Sequence, residues 1–241
     1  MRRSEFIGRR QATNFSPAIR LAAKLGCPLN QSVTLNFAHT ALPDEEVSKA
    51  FEKLRKNYFT KWLGRPGKGY QGPVKPAAYI WVIENPSQCH VHWLVHVPDD
   101  RLKAFLARLP KWLRKVTGGV HCEASAIHVR PASTPFGARG YMLKGIDPAY
   151  AAFYGIEPEP QGIVFGKRCG FSRSLGPMAC RKARTYYTQM REDGYRPTWP
   201  KRTPTTAGRR DNRPYGNPRR VSAKIPDRSR PAPAPARPPT L

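Results

Sequence analysis

Apolar and polar positions alternate over residues 32–39. Val33, Leu35 and Phe37 fall on one side and Thr34, Asn36 and Ala38 on the other, the period of a strand with one buried face. After Pro43 the period lengthens. Val47, Ala50, Phe51, Leu54, Tyr58 and Trp62 recur at helical spacing behind Asp44, Glu45 and Glu46, and Gly64 closes the run. The other face of this helix carries Lys49, Lys53, Arg55, Lys56 and Lys61. A basic Gly/Pro-rich loop over 65–75 leads to an apolar run at 78–84. After five intervening residues a second run begins at His90, in which Val91, Trp93, Val95 and Val97 alternate with His90, His92, Leu94 and His96. A short Asn85-Pro86-Ser87 turn makes the two runs a hairpin. Leu102, Phe105, Leu106 and Leu109 predict a second helix over 99–116, kinked at Pro110 and broken at Gly118-Gly119. Residues 120–129 read as a strand and 136–146 as a short helix.

The order strand, helix, strand, strand, helix, strand, helix is that of an α+β, ferredoxin-like split βαβ fold. It predicts an antiparallel sheet with helices on one face and the other face open to a ligand. Around this domain, taken as residues 32–193, lie two basic extensions. Residues 1–31 read as a loosely ordered arm with a short helix over 18–25. Residues 194–241, rich in Pro and Arg, read as a disordered tail. Between them, 161–173 predicts a short strand and a basic Gly-rich turn, and 177–192 a helix dense in Arg and Lys.

Charge narrows the partners. The chain carries 42 Lys and Arg against 16 Asp and Glu, a net of +26 over 241 residues. The last 41 residues hold eleven of the bases and two of the acids, so the remainder keeps a net of +17. A body this basic points to a polyanion, with nucleic acid the leading class. No apolar run is long enough to span a bilayer and no secretory signal follows Met1, so no membrane partner is expected. Five cysteines with no Cys-x-x-Cys argue against a disulfide framework and a zinc ribbon, and fit a reduced, cytoplasmic protein.

The hairpin supplies the first candidate chemistry. Side chains two apart on a strand share a face, so His90 and His92 can reach one ion, while His96 is too far along the strand to join them. Hairpin closure returns Glu84 to the side of His90. Two imidazoles and a carboxylate then form a candidate divalent-metal site for Mg²⁺ or Mn²⁺. A zinc site from Cys89, His90, His92, His121 and Cys122 is disfavoured, because adjacent residues on a strand point to opposite faces.

About fifty residues further on, in Arg139-Gly140-Tyr141-Met142-Leu143-Lys144-Gly145, Tyr141 and Lys144 share a helix face. Taken in order, Thr34-Leu35-Asn36-Phe37, His90-Val91-His92 and Tyr141-Met142-Leu143-Lys144 resemble the three motifs of the HUH endonucleases. More narrowly, they resemble those of single-tyrosine rolling-circle replication initiators of small plasmids and filamentous phages. The resemblance covers roughly residues 32–145 and departs in the first motif, which reads Thr-Leu-Asn where Thr-Leu-Thr is usual. It implies that Glu84, His90 and His92 ligate the metal, that Tyr141 is the nucleophile on a DNA phosphate, and that Lys144 positions or neutralises that phosphate. It further implies a 5′-phosphotyrosine intermediate, single-stranded DNA at a replication origin as substrate, and a host helicase and polymerase as partners. Arg139, Lys167, Arg168 and Arg173 are candidate nucleic-acid contacts. Gly145 stands four residues after Tyr141, so a second catalytic tyrosine would have to be Tyr150 or Tyr154. A relaxase of the usual kind places its tyrosine before the histidines. A transposase on the same fold and a non-catalytic nucleic-acid-binding protein remain as alternative readings.

Overall fold

A computed structural model describes residues 2–65, 74–119 and 124–192. In chain order these form β1 (Arg3–Ser4), α1 (Arg9–Ala12), α2 (Phe15–Lys24), β2 (Gln31–Asn36), α3 (Asp44–Lys53), a wide π-helical stretch (Leu54–Thr60), α4 (Lys61–Leu63), β3 (Tyr79–Glu84), β4 (His90–Val95), α5 (Leu102–Val116), β5 (Ile127–Pro131), α6 (Pro135–Met142), α7 (Pro148–Ala151), β6 (Val164–Phe165), β7 (Cys169–Phe171) and α8 (Pro177–Glu192). Five strands make an antiparallel sheet in the order β5-β2-β4-β3-β7. The first four have the spatial order of a split βαβ unit, so the expected α+β architecture is the observed one. The α5 helix runs through Pro110. The strand expected over 120–129 is β5, whose first expected residues, 120–123, lie outside the described residues, as does the 194–241 tail. No helix among the described residues is long and apolar enough to cross a membrane.

One sheet face packs as its alternation dictates. Val33, Leu35, Val91, Trp93, Trp81 and Ile83 meet Phe51, Phe105 and Leu109 of α3 and α5 in the main core. Phe51 and Phe59 lie edge-on to Trp93, with ring centroids 5.7 and 4.9 Å apart. The π-helical stretch changes which residues face inward. Steady helical spacing puts Arg55 outside and Tyr58 and Trp62 inside. The wider turn instead buries Arg55, Phe59 and Leu63, with the Arg55 guanidinium 4.8 Å from the Trp81 ring centre.

The other face is not open along its whole length. Ile80, Val82 and Leu94 project from it into a second core with Phe15, Ala18 and Ala22 of α2, Met142 of α6 and Leu175. All six residues of β3 are buried, as an apolar strand covered on both sides requires. Residues 1–31, expected to be loose, belong to this packing. Ile7 and Phe15 are fully enclosed, α2 is longer than the expected 18–25 helix, and Ile7 N–H donates to Gly145 O at 2.9 Å. The boundary expected after residue 31 therefore falls inside the packed unit, which the apolar positions of α2 explain. The helices cover the apolar half of this face and leave the polar half to the site.

Candidate metal and tyrosine site

The register of the sheet assembles the polar half. Glu84 pairs with His90 across the hairpin, and Thr34 pairs with His92 across β2 and β4. Glu84 is fully buried, and its Oε2 lies 3.2 Å from His90 Nε2, 3.3 Å from His92 Nε2 and 3.2 Å from Lys144 Nζ. Helix α6 and the turn after it bring in the second motif. The Tyr141 ring stands edge-on to His92 at 4.9 Å, and Lys144 Nζ is 4.3 Å from the Tyr141 ring centre. Tyr141 is 42% exposed, so its hydroxyl group can meet a macromolecular substrate.

Second contacts fix the imidazoles. His90 Nδ1 lies 2.9 Å from the Gln88 carbonyl, an acceptor only, so Nδ1 carries a proton and Nε2 is the nitrogen directed at Glu84. His92 Nδ1 meets Thr34 Oγ1 at 3.2 Å, which orients its ring in the same sense. Burial is the largest influence on His92 and lowers its pKa, favouring the neutral ring that a metal needs. Burial by itself would raise Glu84. The contacts from His90 and His92 and the charge of Lys144 outweigh it and hold the carboxyl at about 2. Burial would likewise lower Lys144, but the Glu84 carboxylate, and then the Tyr141 oxygen, raise it and keep it an ammonium.

The three expected ligands suit a metal ion. Their donor atoms lie within 4.8 Å of one another. Two donors on one ion sit roughly 3.0–3.4 Å apart for bonds of about 2.1 Å, which matches the 3.2 and 3.3 Å separations around Glu84. Glu84 Oε1 and His92 Nε2 are buried without a hydrogen-bond partner, the latter because its approach to Glu84 is close but poorly aligned. Buried polar atoms left open in this way are costly unless something binds them. Cys89 belongs to the other core, and burial pushes its thiol up to about 12, so it takes no part; His121 and Cys122 lie outside the described residues. His96 is buried with Nδ1 on the Pro28 carbonyl at 2.8 Å, away from the triad as its spacing requires.

The candidate nucleic-acid contacts separate. Lys167 and Arg173 are exposed. Arg139 bonds Ser16 Oγ through Nη1 at 2.9 Å, tying α6 to α2. Arg168 is buried and donates to the carbonyls of Ser4, Gln161 and Gly162, so no nucleic acid can touch it there. Charge and a Gly-rich context marked Arg168 as a surface residue, but satisfying a turn's carbonyls is an equally good use of a guanidinium.

Sequence reasoning missed the strap to which Arg168 belongs. Asn85 N–H donates to Gln161 O at 2.9 Å, Ile83 N–H to Arg168 O at 2.6 Å, and Glu159 N–H to Lys144 O at 2.8 Å. One loop thus clamps the backbone on both sides of Glu84 and at Lys144. Gly162 makes this possible, since it has φ of 63° and a Cβ there would lie 1.6 Å from Asn85 O. Gly162→Ala is expected to cost on the order of 2–4 kcal/mol, read as a lower melting temperature together with weaker metal binding. Thr34 was also missed as a site residue, although its place on the polar side of β2 was visible. Thr34→Val should weaken metal affinity about ten-fold while leaving the fold intact, as measured by titration with Mn²⁺.

No protein-family model matches the chain, and no curated protein is detectably similar to it in sequence.

Proposed function

We propose that this protein cuts and rejoins single-stranded DNA through Tyr141, as a rolling-circle replication initiator of the HUH type. The observation that carries the reading is the meeting of an exposed tyrosine with His92 of a buried Glu-His-His group, with Lys144 between Glu84 and Tyr141. The Tyr141 oxygen attacks phosphorus, the bond from phosphorus to the 3′ oxygen breaks, and a 5′-phosphotyrosine forms. The phenol proton passes through solvent to the departing 3′ oxygen, which becomes a free hydroxyl able to prime synthesis. One phosphodiester replaces another, so the same residues can run the step backwards and rejoin the strand.

Glu84, His90 and His92 would hold Mg²⁺ or Mn²⁺, which when bound supplies positive charge to the phosphate oxygens. The Lys144 ammonium, kept protonated by Glu84, neutralises negative charge that builds as the phosphorus is attacked. Gly145 follows where a second tyrosine would stand, consistent with a single nucleophile.

The test is a denaturing gel of the full chain mixed with single-stranded DNA from its own replicon and Mn²⁺ or Mg²⁺. A DNA-linked band that disappears with chelator is expected. Binding without any metal-dependent adduct on any origin fragment would replace this reading with that of a non-catalytic nucleic-acid-binding protein.

A further inference from the structure

Outside the site, a strongly basic concavity lies between α2 and α8. It is a groove of about 560 Å³, within the range of clefts that enclose organic groups. Arg20 and Lys24 of α2 line one wall and Arg181 and Arg184 of α8 the other, and Arg10 of α1 also lines the groove. No acidic side chain lines it, while Pro17, Leu21 and Ala183 contribute apolar surface. Like charges gathered along one groove raise the local potential and favour an anionic ligand.

A second, independent feature is an exposed aromatic ring. Phe153 is 77% exposed, the most exposed large apolar side chain among the described residues. The Arg9 guanidinium lies 5.8 Å from its ring centre and 5.7 Å from that of Tyr150. Tyr154, next to Phe153, has its hydroxyl oxygen 2.5 Å from Oγ1 of Thr13, itself a groove residue. Tyr154, edge-on to Phe153 at 5.2 Å, thus links the aromatic cluster to a residue that lines the groove. Ser16, bonded by Arg139 of the helix that carries Tyr141, sits between groove residues Asn14 and Pro17.

We infer that the α2–α8 groove binds single-stranded DNA flanking the cleaved phosphate, with the backbone along the two rows of cations and a base stacked on Phe153. A positive groove that tracks phosphates, with an exposed ring for a base, is the pairing that single-strand recognition requires. The chain's own last 41 residues are a poor occupant, since they hold eleven bases and two acids and share the groove's sign. A bilayer surface cannot enter a cleft between two helices as a single strand can. The inference takes its substrate from the proposed nicking reaction, but its test is separate.

The test measures binding of the full chain to a fluorescent oligothymidylate across a range of NaCl concentrations. Replacing Arg20, Arg181 and Arg184 together by Ala should lower the slope of log affinity against log salt by about 2, the share of three phosphate contacts on a single strand. Phe153→Ala should weaken binding about ten-fold and leave that slope unchanged. All four side chains are exposed, so both variants should melt like the parent. Unchanged affinity and slope in both variants would overturn the groove, even if wild-type protein forms the Tyr141 adduct. Weakened binding in both, with no adduct from wild-type protein, would uphold the groove and remove the nicking reaction. Loss of binding to phosphatidylserine vesicles, with oligonucleotide binding unchanged, would overturn the groove in favour of lipid.

Discussion

Tyr141→Phe is expected to lower covalent adduct formation by about four orders of magnitude, below detection on a gel, because it removes the attacking oxygen itself. Phenylalanine keeps the ring that packs against His92, so the metal site and the fold should be unaffected. The variant should therefore bind Mn²⁺ and single-stranded DNA as the parent does, which separates loss of chemistry from loss of binding. A persisting adduct would move the nucleophile to Tyr150 or Tyr154 and overturn the assignment. Both of those side chains are engaged elsewhere, Tyr150 against Arg9 and Tyr154 with Thr13. Neither is among the residues gathered around Glu84.

Glu84→Gln is expected to weaken Mn²⁺ binding at least about a hundred-fold, more than a supporting contact such as Thr34 is worth. It should also destabilise the metal-free protein, with a definite dependence on pH. Glu84 is held at about 2 against an ordinary 4.5, so its carboxylate form is favoured by the fold. A lowered carboxyl contributes stability that is fully present above 4.5 and is lost as pH falls through 2. A shift of that size corresponds to roughly 3 kcal/mol at neutral pH. Chelator-treated wild type and Glu84→Gln should therefore differ most at neutral pH, and the gap should close between 4.5 and 2. Chemical denaturation at a series of pH values checks this. A gap that stays constant with pH would mean that the side chain acts through packing alone.

The two halves of the site were unequally legible. Glu84, His90 and His92 could be joined on paper because a hairpin is local, and its turn and period-two pattern set which residues face each other. Tyr141 and Lys144 could be set on one helix face by their spacing, but nothing in the spacing says where that helix docks. Their approach to Glu84 depends on α6 packing against α2 and on the 159–168 strap, contacts between segments far apart in sequence. Arg55 and Arg168 show the same limit. A charged residue at an outward-looking position went inside, once because the helix widened by a π turn and once because loop carbonyls needed donors.

The sequence by itself determined the α+β class, the hairpin, the grouping of Glu84, His90 and His92 as a trio that could hold a metal ion, and the strongly basic body, all of which follow from period, local turn chemistry and composition. Tertiary structure alone decided that residues 2–31 close half of the second sheet face, that Lys144 shares Glu84 with the two histidines, and that α2 and α8 face each other across a basic groove. The physical reason is that periodicity reports which side of an element is buried, while the identity of what buries it is set by packing between elements distant in the chain.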